Sequence, residues 1–144
     1  MSESSNTALA RRWFDEVWNK RHDATVRELL RPNAVGHLEG LVTRGVDEFF
    51  TARSFLLGAF PDLHVLVEDT VAQGAQVVVR WSAKGTHGGN QLGIPATDKP
   101  VTFRGMTWLT FADGVIVEGW DAWNQGGLLT ELRATAQPPA QSAA

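Results

Sequence analysis

The hydrophobic rhythm of the chain changes once, at Pro61, and that change restricts the fold more than any single residue does. Before it, apolar residues recur at spacings of three and four. Leu9, Ala10, Trp13, Phe14, Val17 and Trp18 form one stripe, and Val46, Phe49, Phe50, Leu56, Leu57 and Phe60 another. That spacing builds amphipathic helices. After Pro61 the period is two: Leu63, Val65, Val67 and Val71 alternate with His64, Leu66, Glu68 and Thr70. Alternation of this kind builds strands with two distinct faces.

The predicted elements follow from this rhythm and its punctuation. Residues 1–6 read as a frayed tail, followed by a helix from Thr7 to about Lys20. A short helix capped by Asp23 runs to Leu30 and ends at Arg31-Pro32, because the residue before a proline disfavours helical geometry. Residues 33–42 read as a short strand or loop, and a third helix spans Gly45 to Ala59. Strands are expected from Leu63, over Gln76–Thr86, over Lys99–Phe111, and from Val115 to about Gln125. Gln73-Gly74-Ala75 and Asp113-Gly114 supply the turns, and residues 87–99 a Gly/Pro-rich loop. A last helical segment runs from Gly126-Gly127 to Arg133. The expected architecture is α+β: a cone-shaped, curved antiparallel sheet wrapped around helices, with a pocket at its mouth. Residues 1–133 form one domain, and the Ala/Gln/Pro-rich residues 134–144 a disordered tail.

Composition narrows the chemistry. The 144 residues include six Trp and seven Phe but neither Tyr nor Cys. Thiolate nucleophiles, disulfides and Cys-ligated zinc are thereby excluded, as is a tyrosine acid or oxyanion donor. The net charge of −3 is spread over mixed signs without a basic stripe, which speaks against nucleic acid. No apolar run is long enough to cross a membrane, and the polar start Met1-Ser-Glu-Ser-Ser-Asn lacks the regions of a signal peptide, so a cytoplasmic setting is expected.

The candidate site centres on Trp120-Asp121-Ala122-Trp123-Asn124. On a strand Asp121 projects with Trp123 and Gly119, away from Trp120 and Asn124. A carboxylate walled by indoles is desolvated, its pKa rises, and it becomes suited to moving a proton from a carbon next to a carbonyl. The alternative is a solvated strand-end carboxylate. His37 lies two residues from Glu39 and reads as a pocket group that polarises a carbonyl, as a polar edge pair, or as half of a metal pair lacking further ligands. Arg53 falls within an apolar helical stripe, either snorkelling to water or pointing inward as a cation. His87, among glycines, either shapes the long hairpin or lets a ligand approach. Trp108 and Trp123 are the leading pocket aromatics, joined by Phe14 and Met106, and they suit a neutral, hydrophobic, polycyclic or terpenoid-like molecule. Both faces of the long strands look apolar, so a second cover is needed beyond the helices, and a homodimer is expected.

Phe60-Pro61-Asp62-Leu63, then Gly85-Thr86-His87 with Gly93-Ile94-Pro95-Ala96-Thr97, then Glu118-Gly119-Trp120-Asp121 occur in an order that resembles the SnoaL-like polyketide cyclases, also called ester cyclases, of the nuclear transport factor 2-like fold. The resemblance spans roughly residues 7–133. It implies ring closure by intramolecular aldol condensation without metal or organic cofactor. It matches the acid/base carboxylate to Asp121 and an early polar helper to His37. Family pockets also tend to use a His on the penultimate strand and a Tyr on the first helix. Here those places hold Met106, Thr107 and Trp108, and Trp13, Phe14 and Trp18. Two other outcomes on this fold are a non-catalytic binding or dimerisation domain and an epoxide hydrolase built on Asp69, Arg80 and Asp121.

Overall fold

Helix α1 (Glu3–Trp13) starts where Ser2 accepts a hydrogen bond from the Ser5 N–H, and it continues into a π-helical turn over Phe14–Asn19. The computed structural model describes residues 2–136. The expected frayed tail is therefore helical from Glu3, because Ser2 caps it. The predicted single helix to Lys20 changes its hydrogen-bond pattern after Trp13. The π turn ends on Asn19, whose side chain accepts from the Val65 N–H at 2.7 Å and donates to the Val65 carbonyl at 2.8 Å. Asn19 thus substitutes for a strand neighbour and fastens the helical layer to the sheet.

Helix α2 (Asp23–Leu29) is followed directly by strand β1 (Leu30–Leu38), a turn at Glu39-Gly40, and β2 (Leu41–Arg44). His22, rather than Asp23, occupies the N-cap position. Helix α3 covers Gly45–Ala59, as the periodicity predicts. Strands β3 (His64–Gln73), β4 (Gln76–Thr86), β5 (Pro100–Ala112) and β6 (Val115–Trp123) follow, and helix α4 (Gln125–Ala136) closes the order. Residues 134–136 of the expected tail are helical, and 137–144 lie outside the described residues.

The six strands form one curved, unclosed sheet in the order β2-β1-β6-β5-β4-β3. Neighbours are antiparallel except β1 and β6, which run parallel, so the sheet is mixed where an all-antiparallel one was expected. The parallel pair arises because the N-terminal strand, not one of the meander, completes the sheet beyond β6. Register slips interrupt β1 between Leu30 and Val35, β3 between Val67 and Asp69, and the β5–β6 pairing at Thr110/Phe111. Each slip bends and twists its strand, and together they curl the sheet over the helices. The core lies in that concavity: Ala10, Val17, Val26, Leu29, Phe60, Val77, Val79 and Leu132 are almost completely buried there.

Candidate active site

The concave face of the sheet and helices α1 and α3 border an open-mouthed cavity of about 450 Å³. That volume lies within the ~300–1,000 Å³ usual for small-molecule sites. Trp13, Phe14 and Trp18 line it from the α1 side, Phe49 and Leu56 from α3, and Trp81, Phe103, Leu109 and Trp123 from the sheet. The rings pack against one another. Phe103 stacks on Trp123 at 4.9 Å and meets Trp81 edge-on at 6.1 Å, while Phe49 touches Trp13 and Trp18 at 5.1 and 6.1 Å. Offset and edge-on pairs are the favoured aromatic geometries, so much of the wall is held by ring–ring contacts. Gly105 makes the arrangement possible. A Cβ there would lie 2.6 Å from Trp81 Cζ2 and 2.7 Å from Trp123 Cβ, so only glycine lets the two indoles fold over β5.

Asp121 opens into this cavity. The Thr107 hydroxyl donates to Asp121 Oδ1 at 2.6 Å, and the Trp81 indole N–H donates to Thr107 Oγ1 at 3.0 Å. Burial of the carboxyl pushes its pKa up to about 6, against the Thr107 hydrogen bond, which lowers it. The negative charge of Glu39 raises it further. Glu39 reaches the cavity from the β1–β2 turn, where Oε1 accepts the Trp123 N–H at 3.1 Å.

The other expected site residues divide between the two faces of the sheet. Phe14, Trp123 and Arg53 line the cavity. Arg53 is buried but not free. Its guanidinium pairs with Asp23, donates to the Val17 carbonyl at 3.2 Å and sits 5.0 Å from the Phe50 ring centroid. It is thus an inward cation answered by a carboxylate, tying α3 to α2 and the π turn.

His37 is turned away from Asp121. It pairs with Trp120 across the parallel β1–β6 ladder, stacks on that indole at 3.5 Å, and its Nε2 lies 3.0 Å from Glu118 Oε2 on the outer face. Residues directly opposed across strands share a face, so a neighbour of outward Trp120 also points outward. His37 and Glu39 do not converge, because the chain leaves the strand at Glu39-Gly40, and among the described residues no cluster of three or more His, Asp or Glu could hold a metal. Met106 and Trp108, expected in the pocket, are also outside, about half exposed. Thr107 takes the inward place between them. Thr107 and Trp81 are cavity groups without a role in the sequence reading, Glu39 enters there only as the partner of His37, and Gly105, beneath the two tryptophans, not at all. A glycine inside a long β run was the one available signal of close approach. His87 is fully buried beside Phe60 and hydrogen-bonds with Thr97, so it shapes the 87–99 loop. Asp69 and Arg80 are exposed and away from the cavity, so the Asp69–Arg80–Asp121 constellation is not assembled.

The profile of the SnoaL-like polyketide cyclase family matches residues 8–132. The chain belongs to that family. Among solved structures, a protein from Jannaschia sp. CCS1 assigned as a SnoaL-like polyketide cyclase superposes with a TM-score of 0.87 at 27% identity, covering 95% of each chain. IdmH from Streptomyces antibioticus, assigned as a polyketide cyclase, gives 0.76 at 28% identity over 88% of this chain and 97% of that one. AclR from Streptomyces galilaeus, assigned as a hydroxylase, gives 0.81 at 28% identity over 96% and 87%. No curated protein matches the chain significantly. The SnoaL-like fold therefore accommodates relatives assigned to different reactions, and the choice between them rests on the site. Among the described residues of this SnoaL-like chain no helix is long and apolar enough to cross a membrane.

Proposed function

We propose that the protein is a cofactor-independent enzyme in which Asp121 acts as general acid and base on a hydrophobic carbonyl compound, in an aldol-type cyclisation or an isomerisation. The observation that carries this reading is the Asp121 carboxyl group, with a pKa of about 6, in the wall of an aromatic cavity. At neutral pH it is largely ionised and still basic enough to take a proton from a carbon next to a carbonyl. The electron pair left on carbon becomes an enolate. In cyclisation that carbon forms a bond to a second carbonyl of the same molecule, and Asp121 returns its proton to the new alkoxide. In isomerisation the proton returns to a different carbon. Both routes leave the enzyme unchanged and need no further reactant. Flat rings would slot between the Phe103–Trp123 wall and the Trp13–Phe49 wall, with the reacting carbonyl towards Asp121.

The test is exchange of the α-proton of hydrophobic β-dicarbonyl compounds in deuterated water, followed by NMR. The parent should catalyse it with activity rising through a pH near 6, and Asp121→Asn should lose about 10²–10⁴-fold. Full activity in Asp121→Asn would overturn the reading, and tight binding without exchange would favour a non-catalytic binding domain.

We also propose that a second copy of the chain covers the outer sheet face. Trp108, Trp120 and Met106 form a half-exposed apolar patch there, flanked by the His37–Glu118 pair. Light scattering should give twice the chain mass for the parent, and Trp108→Glu combined with Trp120→Glu should shift it towards the monomer. A monomeric parent would refute the dimer.

A further inference from the structure

We propose that Trp81 is a positioning residue whose indole N–H fixes the Thr107 hydroxyl and thereby makes Asp121 Oδ2 the oxygen that takes up and returns the proton. This rests on the reading of Asp121 as the acid and base. The argument begins with the hydrogen-bonding capacity of each group. An indole N–H can only donate, and a threonine hydroxyl has one hydrogen and two acceptor positions. Trp81 fills one acceptor position of Thr107 from 3.0 Å, and both residues are buried. The Thr107 hydrogen then needs an acceptor, and among the described residues its partner is Asp121 Oδ1 at 2.6 Å. Any other rotation would leave that hydrogen unpaired in an aromatic wall, the costly case for a buried donor. The hydroxyl therefore donates to Oδ1 whether Asp121 is charged or neutral.

Two consequences follow for the carboxyl group. Oδ1 is committed as an acceptor, so the proton of the neutral acid sits on Oδ2. Oδ2 has no hydrogen-bond partner among the described residues, and Asp121 lines the cavity. Base and acid steps then use one oxygen at one place, and the carboxyl group need not rotate between them. The indole is itself held in place, edge-on to Phe103 and seated over Gly105. The other titratable groups on the cavity are Glu39, from the β1–β2 turn, and Arg53, from α3, which is already paired with Asp23.

The experiment needs no substrate. The indole N–H signal of Trp81 is identified among the six tryptophans by its loss in Trp81→Phe, and is followed by 1H–15N NMR from pH 4.5 to 8. It should shift with the ionisation of Asp121, near pH 6, because a charged acceptor at one end of a hydrogen-bond chain strengthens the bond at the other. Thr107→Val and Asp121→Asn should abolish this inflection, and Thr107→Ser should retain it. In Trp81→Phe the Asp121 carboxyl, followed by 13C NMR, should titrate about half to one pH unit higher than in the parent, since the hydroxyl is released from its donating setting. A flat Trp81 signal, an inflection that survives Thr107→Val, or an unchanged carboxyl titration in Trp81→Phe would overturn the proposal. The acid/base reading fails differently, by proton exchange that survives Asp121→Asn. That result would remove the role of Oδ2 even with the inflection intact.

Discussion

Asp121→Asn should unfold at a higher temperature than the parent at pH 7.5 and at nearly the same temperature at pH 4. The folded protein holds the Asp121 carboxyl at about 6, against 3.8 for an unperturbed one. Below 3.8 both folded and unfolded chains carry the proton, and ionisation makes no difference to stability. Between 3.8 and 6 the folded chain still holds a proton that the unfolded chain has released, so stability falls as the pH rises. Above 6 the full cost of a buried charge is present, about 2–3 kcal/mol at the conversion of 1.36 kcal/mol per pKa unit. Asparagine has the same shape, keeps an oxygen for the Thr107 hydroxyl and carries no charge to desolvate. Most of that cost should therefore be recovered, worth roughly 5–10 °C in Tm for a chain of this size. Other carboxylates of the fold, such as Glu16 and Asp62, have pKa values lowered by their hydrogen bonds and titrate alike in both chains, so they cancel in the difference. Thermal unfolding of the two proteins across pH 4–8 checks this. A difference independent of pH would mean that Asp121 is not held in a desolvated setting. A gain in stability with loss of proton transfer would mark the trade-off typical of active sites.

Gly105→Ala should disturb the site strongly with a single methyl group. The new Cβ would meet the Ala122 carbonyl oxygen at 2.7 Å as well as the Trp81 indole and the Trp123 Cβ. That carbonyl is backbone of β6, locked in the ladder with β5, and cannot retreat without breaking the pairing that holds Asp121 opposite Thr107. Overpacking of this kind costs about 1–3 kcal/mol. The yielding parts are Trp81 and Trp123, so the cavity wall should shift too. The expected result is a lower Tm, a changed tryptophan emission and weaker binding of a flat hydrophobic dye. Gly126→Ala, where a Cβ meets nothing within 4 Å, serves as the control: in helix α4 it should not lower the Tm and should leave emission and dye binding unchanged. Equal behaviour of the two variants would show that Gly105 is not what seats the indoles.

Much of the fold was legible because its signals are local. Three- and four-residue spacing and Pro61 define α3 on both sides. Asp113 and Gly114 both have positive φ, as a tight hairpin turn between long strands requires. Alternation around Asp121 places it with Gly119 and Trp123, and all three line the cavity. The residues opposite Asp121 were a different matter. The turn pairs Ala112 with Val115 and Phe111 with Ile116, and the same register carried on would set Met106 against Asp121. Val117 is instead an extra residue in β6, so Thr110 pairs with Glu118 and Thr107 with Asp121. One bulged residue thus exchanges the faces of a whole strand, since side chains alternate with period two. It turns Gly119, Asp121 and Trp123 of β6 to the inner face, where Thr107 already points, while the unbroken alternation of β5 leaves Met106 and Trp108 outward.

The sequence by itself determined the order of elements, the hairpin turn and the one carboxylate set among indoles, because propensity, turn chemistry and alternation act over a few residues. Only the tertiary structure decided what that carboxylate meets. The parallel pairing of β1 with β6 turned His37 outward, the bulge at Val117 turned Asp121 to the face of Thr107, and the space over Gly105 let Trp81 reach that hydroxyl. Each depends on the register between strands distant in the chain. That register is chosen by the packing of the whole sheet against its helices.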